Sequence, residues 1–295
     1  MSDPSEATVR RIRQDSPTID AVCRQLERQI SPDEADLAIS FAEIFFSKAT
    51  EEFLQERSSD ALARMALGTW RFLQRARPDR VDVDVFNPDV DNEGWYAPVT
   101  VLRTNISERP FIVDSLREFL HTQDLSIEHL IYPVIYVERR EDGEITAVRP
   151  SREGETKESL VHCEVTRVTD TELQHFLCNE ASRRLQDVVR VTDDFHSMID
   201  AVNAMVAELA ESMQELDDIS EELGEIQSFL RWVRDGGFVF LGYRDYQLVD
   251  IEGGKAIVVE PGSGLGMMRN EAESSYAEPV LLRDLDPEIR DLMEG

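Results

Sequence analysis

The stretch RPFIVDSLREFLHTQDLSIEHLIYPVIYVERR, residues 109–140, constrains the fold more than any other part of the chain. Apolar residues recur at three-to-four spacing over 110–121, which predicts an amphipathic helix. The apolar and β-branched run over 126–139 predicts a long strand. A shorter strand pattern, VTVLRTN at 99–105, precedes the stretch. A strand, a helix and a second strand in this order open an α+β sandwich.

The flanking residues extend this alternation of strands and helices. Valines alternate with polar residues over 80–85, which predicts an extra half-exposed strand before the unit. Asp142-Gly143 predicts a hairpin turn after the long strand. The remaining predicted elements are a strand over 145–148, a strand over 160–168, a helix over 169–185 and a closing strand at Val188, Val189 and Val191. The predicted order is βαββαβ with one extra strand.

The sequence pattern of the N-terminal segment predicts helices only. Ser31 followed by Pro32 is a typical helix start, because serine caps free amide groups and proline fits the first helical turn. Apolar residues recur at helical spacing over 37–49 and 62–76. The period changes after Pro78, where a helix is expected to have ended.

A seven-residue repeat marks the segment 194–234, which contains no proline. The main apolar series is Phe195, Val202, Leu209, Leu216, Leu223 and Leu230. Such spacing predicts a helical arm whose apolar seam needs a partner helix. The arm is either one long helix or a hairpin that breaks near Asp217-Asp218, and the partner helix belongs either to this chain or to another.

A β-hairpin is predicted over 238–260, because Gly253-Gly254 separates two strand-like runs. Too few residues follow for a second sandwich, so the hairpin is interpreted as the start of a second, incomplete α/β module. The predicted domains are a helical segment over 1–78, a sandwich over 79–192, a helical arm over 193–235 and the incomplete module over 236–295.

The charge of the chain narrows the range of partners. It has 60 acidic and 31 basic residues, a formal net charge of −29, and its only lysines are Lys48, Lys157 and Lys255. Such a surface repels phosphate backbones and anionic lipid headgroups, so neither nucleic acid nor a membrane is an expected partner. Two interpretations stay open: an ordinary acidic protein, or a salt-adapted one whose self-repulsion is screened by ions.

Cysteine usage and hydropathy indicate the compartment. Cys23, Cys163 and Cys178 form no CxxC pair and leave an odd number, which fits a reducing compartment and argues against disulfides or a thiolate zinc site. The first residues lack the apolar core of a secretory signal. No apolar run reaches the roughly 18–20 residues of a membrane span. We therefore expect a soluble, cytoplasmic protein.

Sequence motifs for catalysis and for cofactor or metal binding are not recognised. The five histidines show no helical zinc spacing. The glycine-rich segment 262–266 lacks the third glycine of a dinucleotide loop and the lysine–serine pair of a P-loop, so a simple turn is favoured over a phosphate cradle. No catalytic, cofactor-binding or metal-binding residue is predicted, and no cofactor is expected in this chain.

One loop combines residues suited to ligand binding. Arg109, Pro110 and Phe111 lie just before the predicted helix, whose first amide groups can bind a carboxylate. Arg109 could add a bidentate clamp. Asp114 and Ser115 lie in the first turn, where capping explains them equally well. The alternatives are an effector site and a packing or dimer contact, and the bulk of Phe111 favours the contact, because it opposes close approach to the backbone.

Three separated segments carry a family resemblance. They are VDVDVFNPDVDNEGWYAPVTVLRTNISERPFIVDSLREFL, FLRWVRDGGFVFLGYRDYQL and PGSGLGMMR, which together span 81–269. In this order they closely resemble the N-terminal region of the large bacterial NAD-specific glutamate dehydrogenases. The family's usual acidic pair before the proline–phenylalanine is replaced here by Glu108-Arg109.

The resemblance implies a sandwich of the ACT (ferredoxin-like) type, with helical segments used in assembly and regulation. It implies a complete enzyme that converts L-glutamate, NAD and water into 2-oxoglutarate, ammonium and NADH, with NAD as the cofactor of that parent enzyme. Catalysis in the family uses a lysine of lowered pKa and a glycine-loop nucleotide unit, and neither is recognised here.

The chain is therefore interpreted as a regulatory or assembly region without its own catalytic activity. Its expected partner is another copy or the remainder of the same enzyme. The alternative is a free-standing ACT-type sensor of an amino-acid effector. Amino-acid-binding ACT domains carry glycine in the loop where this chain has Phe111.

Overall fold

The computed structural model describes residues 16–77, 79–215 and 220–294. The helices are α1 (Pro17–Gln29), α2 (Pro32–Phe46), α3 (Glu51–Gln55), α4 (Ser59–Arg75), α5 (Ile112–Thr122), α6 (Thr171–Asp193), α7 (Phe195–Glu215), α8 (Ser220–Trp232) and α9 (Pro287–Glu294). The strands of the first unit are β1 (Asp82–Phe86), β2 (Val99–Ser107), β3 (Ile127–Ile131), β4 (Val134–Arg139), β5 (Ile145–Pro150) and β6 (Glu158–Thr166). Two compact units meet in sequence between Gln186 and Asp187.

The N-terminal helices begin where the sequence supplies caps. The side chains of Ser16, Thr50 and Ser58 accept hydrogen bonds from the first-turn amides of α1, α3 and α4. Proline occupies the first position of α1 and of α2, where its missing N–H costs nothing. The predicted helical N-terminal segment is thus confirmed over the residues that the structure describes.

The first unit is built on an antiparallel sheet of order β1-β2-β6-β4-β5, in which β3 also pairs with β6. The α+β class is therefore confirmed. The long strand predicted over 126–139 is two strands, β3 and β4, because Tyr132 and Pro133 interrupt the ladder. Proline has no N–H to donate, so such a break is expected at Pro133.

The predicted closing strand is wrong. Val188, Val189 and Val191 lie in α6. Buried residues recur at helical spacing through Leu177, Ala181, Leu185 and Val188, so the apolar pattern continues the helix. The edge beside β2 is taken by β1, the extra strand predicted before the unit.

Helices cover both faces of this sheet. On one face, α1–α4 form a single apolar core with Val101, Ile131 and Ile135. His162 of β6 points toward these helices, because its ring contacts that of Phe45 at 5.7 Å. Successive strand residues face opposite sides, so Cys163 points to the other face.

On that other face α5 and α6 pack together through the rings of Phe119 and Phe176, which lie 6.4 Å apart. The guanidinium of Arg117 in α5 is close enough to Cys163 to favour its thiolate, although burial has the larger, opposite effect on the pKa of the thiol. The helix α5 therefore lies against the face that Cys163 occupies. Cys178 of α6 contacts the carbonyl oxygen of Val83 in β1 at 3.7 Å. As a result β2 and β6 are buried along almost their whole length.

Charged groups are buried between the N-terminal helices and the sheet. Nη2 of Arg57, just after α3, donates to Oε2 of Glu164 in β6 at 2.5 Å, and Glu164 is fully buried. The same guanidinium lies over the ring of Phe53, 4.0 Å from its centroid. A second link is made by Arg139, which donates to both oxygens of Glu158 and to the carbonyl of Leu73 in α4.

His162 lies within this buried layer, with its Nε2 3.5 Å from Oε1 of Glu164. Its Nδ1 has no hydrogen-bond partner among the described residues. Burial lowers the pKa of His162 although Glu164 favours the protonated ring, and Arg103 and Arg57 lower it further. The ring is therefore neutral in the folded protein near neutral pH.

The second unit contains two helices that pack side by side. Nε2 of the buried Gln227 in α8 donates to the carbonyl of Val206 in α7 at 3.0 Å. The predicted arm is therefore a hairpin of two helices, and the partner helix is intrachain. Of the predicted seam residues, Val202 is buried and Leu209, Leu223 and Leu230 are half-buried, while Leu216 lies outside the described residues.

Short strands complete the second unit. They are β7 (Gly242–Tyr243), β8 (Tyr246–Ile251), β9 (Gly254–Val259), β10 (Leu265–Gly266) and β11 (Val280–Leu281). The predicted hairpin is present as β8 and β9, and β11 adds a third strand to its sheet. β7 and β10 form a separate two-residue ladder. The four-part division of the chain stays a prediction.

The Arg57–Glu164 pair gives a stability prediction. Replacing Arg57 by Met leaves a buried carboxylate without its guanidinium, so the free energy of unfolding should fall by about 3 kcal/mol. The double variant Arg57→Met, Glu164→Leu should recover most of that loss, because it removes both charges. Urea unfolding followed by circular dichroism measures both values.

The control is Arg24→Met, which breaks the exposed pair that Arg24 makes with Asp20. It should change stability by no more than about 0.5 kcal/mol. Equal effects of Arg24→Met and Arg57→Met would contradict the importance of the buried pair.

The neutral His162 predicts a pH dependence. Histidine in the unfolded chain takes up a proton near pH 6.5, but the buried ring resists it, so the unfolded state binds more protons below that pH. Stability should therefore fall as the pH is lowered from about 7 to 5. His162→Gln should flatten this slope, whereas Gln in place of the exposed His175 should not. Urea unfolding at several pH values measures this dependence. If the slope of stability against pH were the same in His162→Gln as in the original protein, the neutral buried His162 would be refuted as its cause.

Candidate functional site

The loop before α5 has an unusual backbone at Phe111. Phe111 occupies the position before the helix with φ +72° and ψ +3°, the left-handed region. Bulky side chains rarely adopt it, and it costs roughly 1–2 kcal/mol. Within the described part of the chain, no side chain caps this helix start. The ring is 44% exposed, so it is not packed into the core of this chain.

The guanidinium of Arg109 is already bound within the loop. Its Nη2 donates to Oγ of Ser107 at 2.6 Å, and its Nε donates to the carbonyl of Ser107 at 3.2 Å. A carboxylate clamp would need part of this bonding to be exchanged for the ligand. Pro110 is exposed beside it.

The neighbouring Glu108 links the loop to the sheet. Its amide donates to the carbonyl of Lys157 at 2.8 Å, and its carboxylate accepts from the hydroxyl of Tyr132 at 2.9 Å. The same hydroxyl lies 3.2 Å from Oγ of Ser159. Burial raises the pKa of Tyr132 to about 12, opposed by Ser159 and reinforced by Glu108. Tyr132 is therefore a hydrogen-bonding anchor and not a base.

The first turn of α5 carries the other two predicted residues. Asp114 is exposed, and the amide of Ser115 donates to the carbonyl of Phe111 at 3.0 Å. The structure thus brings Arg109, Phe111, Asp114 and Ser115 together around one helix start. Whether this loop binds an effector or makes a contact stays a prediction.

A cavity that the sequence did not predict lies elsewhere in the first unit. It has a volume of about 990 Å³ and is lined by one face of α4, by the segment 90–94 and by residues of β1 and β2. Its lining includes four arginines, Arg64, Arg71, Arg75 and Arg103, and the acidic side chains of Asp84, Asp91 and Glu93. This concentration of arginine contrasts with the chain's net charge of −29.

The sequence contained a signal for this site. Arg64, Gly68, Arg71 and Arg75 are spaced by four, three and four residues, which places them on one face of a helix. The spacing alone could not predict the cavity, because Arg103, Asp84 and Glu93 come from β2, β1 and a loop. Only the fold brings these groups opposite α4.

The glycine-rich segment 262–266 does not offer free amides to a phosphate. The amides of Gly262 and Gly266 donate to carboxylates of the same chain, at 2.7 Å to Glu271 and 2.7 Å to Asp194. Asp194 also binds Arg269 through both oxygens. Burial works against ionisation of Asp194, but these hydrogen bonds outweigh it and lower its pKa. The loop is thus held by internal anions.

Nucleophilic and metal chemistry have little support in the described residues. Burial raises the pKa of Cys163 to about 12 and also raises that of Cys178, so neither thiol ionises readily. His129 contacts Glu56 at 3.3 Å and the ring of Phe53, which is a packing role. Across the described ranges, no group of three or more His, Cys, Asp or Glu side chains is arranged to hold a metal ion.

The second unit exposes an aromatic patch, defined here as Phe229, Trp232 and Phe238. Each ring is more than half exposed. Phe229 and Trp232 lie 5.9 Å apart, and Trp232 and Phe238 lie 5.3 Å apart edge to face. Contiguous exposed aromatic surface of this kind is typical of interaction sites. Among the described helices, none combines the length and apolar character that crossing a bilayer requires.

Most of the first unit matches the model of a known protein family. A family model described as "Glutamate dehydrogenase, ACT1 domain" matches residues 41–180. This range contains the whole sheet, the Arg109–Ser115 loop and the arginines of the cavity. The chain carries the ACT1 domain of the glutamate dehydrogenase family.

Curated relatives extend the similarity to most of the chain. It is 32% identical to the NAD-specific glutamate dehydrogenase of Pseudomonas aeruginosa over 233 residues, which are 78% of this chain and 14% of that protein. The corresponding protein of Halomonas elongata is 29% identical over 262 residues, 87% of this chain and 16% of that protein. That of Mycobacterium tuberculosis is 26% identical over 170 residues, 55% of this chain and 10% of that protein.

The resemblance deduced from the sequence is therefore confirmed: the chain matches the N-terminal region of these dehydrogenases. It spans only a small fraction of the length of the relatives it matches. The expected ACT-type fold agrees with the matched ACT1 domain.

The left-handed backbone at Phe111 predicts an unusual response to mutation. Glycine adopts this conformation without steric cost, whereas alanine keeps the cost and loses the ring. Phe111→Gly should therefore be more stable than Phe111→Ala by about 1 kcal/mol, despite the greater unfolded-state entropy of glycine. Thermal and urea unfolding of the two variants compare them directly. A Gly variant less stable than the Ala variant would contradict the backbone geometry.

Proposed function

We propose that this chain is the regulatory and assembly region of an NAD-dependent glutamate dehydrogenase. The proposal is carried by the ACT1 match over 41–180, together with relatives of which the chain spans only 14% and 16%. The parent enzyme would convert L-glutamate, NAD and water into 2-oxoglutarate, ammonium and NADH. NAD would be its cofactor and would bind outside this chain. A cytoplasmic location belongs to the same proposal.

The chemistry of the chain's own residues supports a non-catalytic role. Catalysis by the resembled family uses a lysine, and of the three lysines Lys48 and Lys255 are exposed while Lys157 is half-buried beside an exposed loop. The glycine-rich segment binds Glu271 and Asp194 in place of a phosphate. Most charged groups buried in the first unit pair with one another, which serves packing.

The aromatic patch supports the assembly role. Phe229, Trp232 and Phe238 would lose most of their exposed surface against a partner, and tryptophan is a frequent energetic centre of interfaces. The partner we propose is the remainder of the same enzyme or a second copy, because the relatives are several times longer than this chain. Phe111, which is exposed at an energetic cost, is a second candidate contact.

The alternative is an amino-acid sensor that works without a catalytic partner. One observation favours it: the first amides of α5 have no side-chain cap from the residues that the structure describes, and they lie beside Arg109. A ligand carboxylate could bind these amides and take over the guanidinium from Ser107. The bulk and exposure of Phe111 count against a deep pocket there.

One set of measurements tests both proposals. In the complete enzyme, Trp232→Ser should weaken association by at least about tenfold, seen as smaller species in sedimentation velocity. Tyr96→Ser is the matched control, because Tyr96 is an exposed aromatic residue of the other unit. This chain alone, given glutamate and NAD, should form no NADH.

The outcomes separate the alternatives. Association unchanged by Trp232→Ser would exclude the aromatic patch as a contact between copies, and NADH formed by the chain alone would overturn the regulatory and assembly proposal. Calorimetric binding of an amino acid by the chain alone, abolished by Arg109→Ala, would favour the sensor.

A further inference from the structure

The cavity beside α4 has the properties of a ligand site, beginning with its floor. Arg103 of β2 is only 3% exposed, and its Nη2 donates to Oδ2 of Asp84 at 2.7 Å. Its guanidinium is held between the rings of Phe72 and Phe86, 4.9 and 4.7 Å from their centroids. Its Nε is buried with no partner among the described residues. The floor of the cavity therefore holds a guanidinium fixed by Asp84 and by two aromatic rings.

The wall formed by α4 adds two solvent-exposed cations, Arg71 and Arg75. Within the described residues, the guanidinium groups of Arg71 and Arg75 make no hydrogen bond or ion pair. They lie one helical turn apart, where like charges repel. Arg64, one turn earlier on the same face, differs because Asp60 binds its Nε at 2.9 Å. A bound anion would relieve the repulsion between Arg71 and Arg75.

Glu93 shows where an anion would be placed. Its carboxylate is half-buried in the cavity and has no hydrogen bond or ion pair in the described ranges. It reaches over Gly68, since a Cβ at Gly68 would lie 3.0 Å from Oε2 of Glu93 and 3.7 Å from Nη1 of Arg103. The glycine thus gives a carboxylate room beside Arg103.

The position of Glu93 is electrostatically unfavourable. Burial raises the pKa of Glu93, and although Arg103 and Arg75 oppose this, Asp84 and Asp89 add to it. A carboxylate that is easier to protonate than usual is poorly stabilised by the cations near it. A ligand that makes better contacts can therefore compete with Glu93 for the same arginines.

We propose that this cavity binds a small anion with two acidic groups, carboxylate or phosphate, which engage Arg71 and Arg75 above the buried Arg103. Two acidic groups match two cations one turn apart, and guanidinium groups bind both chemistries bidentately. The site would give the proposed regulatory region its effector, but binding itself does not depend on that role.

Calorimetry on this chain tests the proposal with four defined probes. Succinate and pyrophosphate carry two acidic groups, and acetate and inorganic phosphate are their single-group counterparts. At least one two-group probe should bind about tenfold more tightly than its counterpart. Comparing succinate with pyrophosphate identifies the carboxylate or the phosphate as the preferred group.

Variants assign the binding to the cavity. Arg71→Gln and Arg75→Gln should each weaken binding by about tenfold, because each removes a charge-assisted contact. Glu93→Gln should tighten it several-fold, because it removes the competing charge and keeps the shape. Arg117→Gln is the control, since Arg117 is exposed on α5, at the opposite face of the sheet.

Three results would overturn the proposal. Binding of neither two-group probe at about 10 mM would overturn it, as would binding unaffected by the double Arg71→Gln, Arg75→Gln variant. An amino acid that binds here while succinate and pyrophosphate do not would overturn the assignment of an anion. Unfolding curves of each variant verify that it is folded, and loss of binding with an intact fold counts as support. None of these outcomes depends on dehydrogenase activity, so they stand apart from the test of the proposed function.

Discussion

The burial of a charged sheet face by the N-terminal helices is the constraint on which the first unit depends. A sandwich whose two helices, α5 and α6, lie on one side leaves the other side of its sheet to be covered. That side carries apolar residues such as Val101 and Ile135, but also Arg103, His162 and Glu164. Isolated charges cannot be left in such a layer. The helices therefore bring the matching groups, of which Arg57 is the clearest, and the sheet and helices form one unit.

This arrangement has a consequence for assembly. A sheet face that α1–α4 already cover is not available to a partner, so contacts with other parts of an enzyme must use helices, loops or sheet edges. The exposed aromatic side chains fit this expectation, because Phe111 lies at a helix start and Trp232 at a helix end. Buried ion pairs contribute less net stability than apolar packing, but they penalise wrong alignments strongly. A slip of β6 by one residue would move Glu164 away from Arg57.

Much of the first unit could be predicted from the sequence, and the failures have physical causes. Helical spacing and the start signal Ser31-Pro32 predict the N-terminal helices, although the side chain of Ser31 makes no capping hydrogen bond. Alternation predicts β1, and the β-branched run VTVLRTN predicts β2. The prediction of a closing strand at Val188 is wrong because a short run of valines is compatible with a strand and with a helix. Only the row of buried residues that starts at Leu177 shows that the helix continues through Val188. For the candidate site, the loop at Arg109 was recognised, but the cavity was missed, because Arg103 and Glu93 are far from α4 in sequence.

The distribution of paired and unpaired cations makes that missed cavity informative. With about two acidic residues for every basic one, an arginine in this chain readily finds a carboxylate. Arg57, Arg139 and Arg269 each do so, and even the amides of the glycine-rich segment are bound by Asp194 and Glu271. Arg71 and Arg75 form no such pair among the described residues, and they share this with other exposed arginines such as Arg28 and Arg117. What distinguishes Arg71 and Arg75 is that both line one cavity with the buried Arg103. Both side chains are exposed, so water solvates them in the absence of a ligand. Two guanidinium groups one helical turn apart beside a buried third are nevertheless an arrangement that an anion from outside would stabilise.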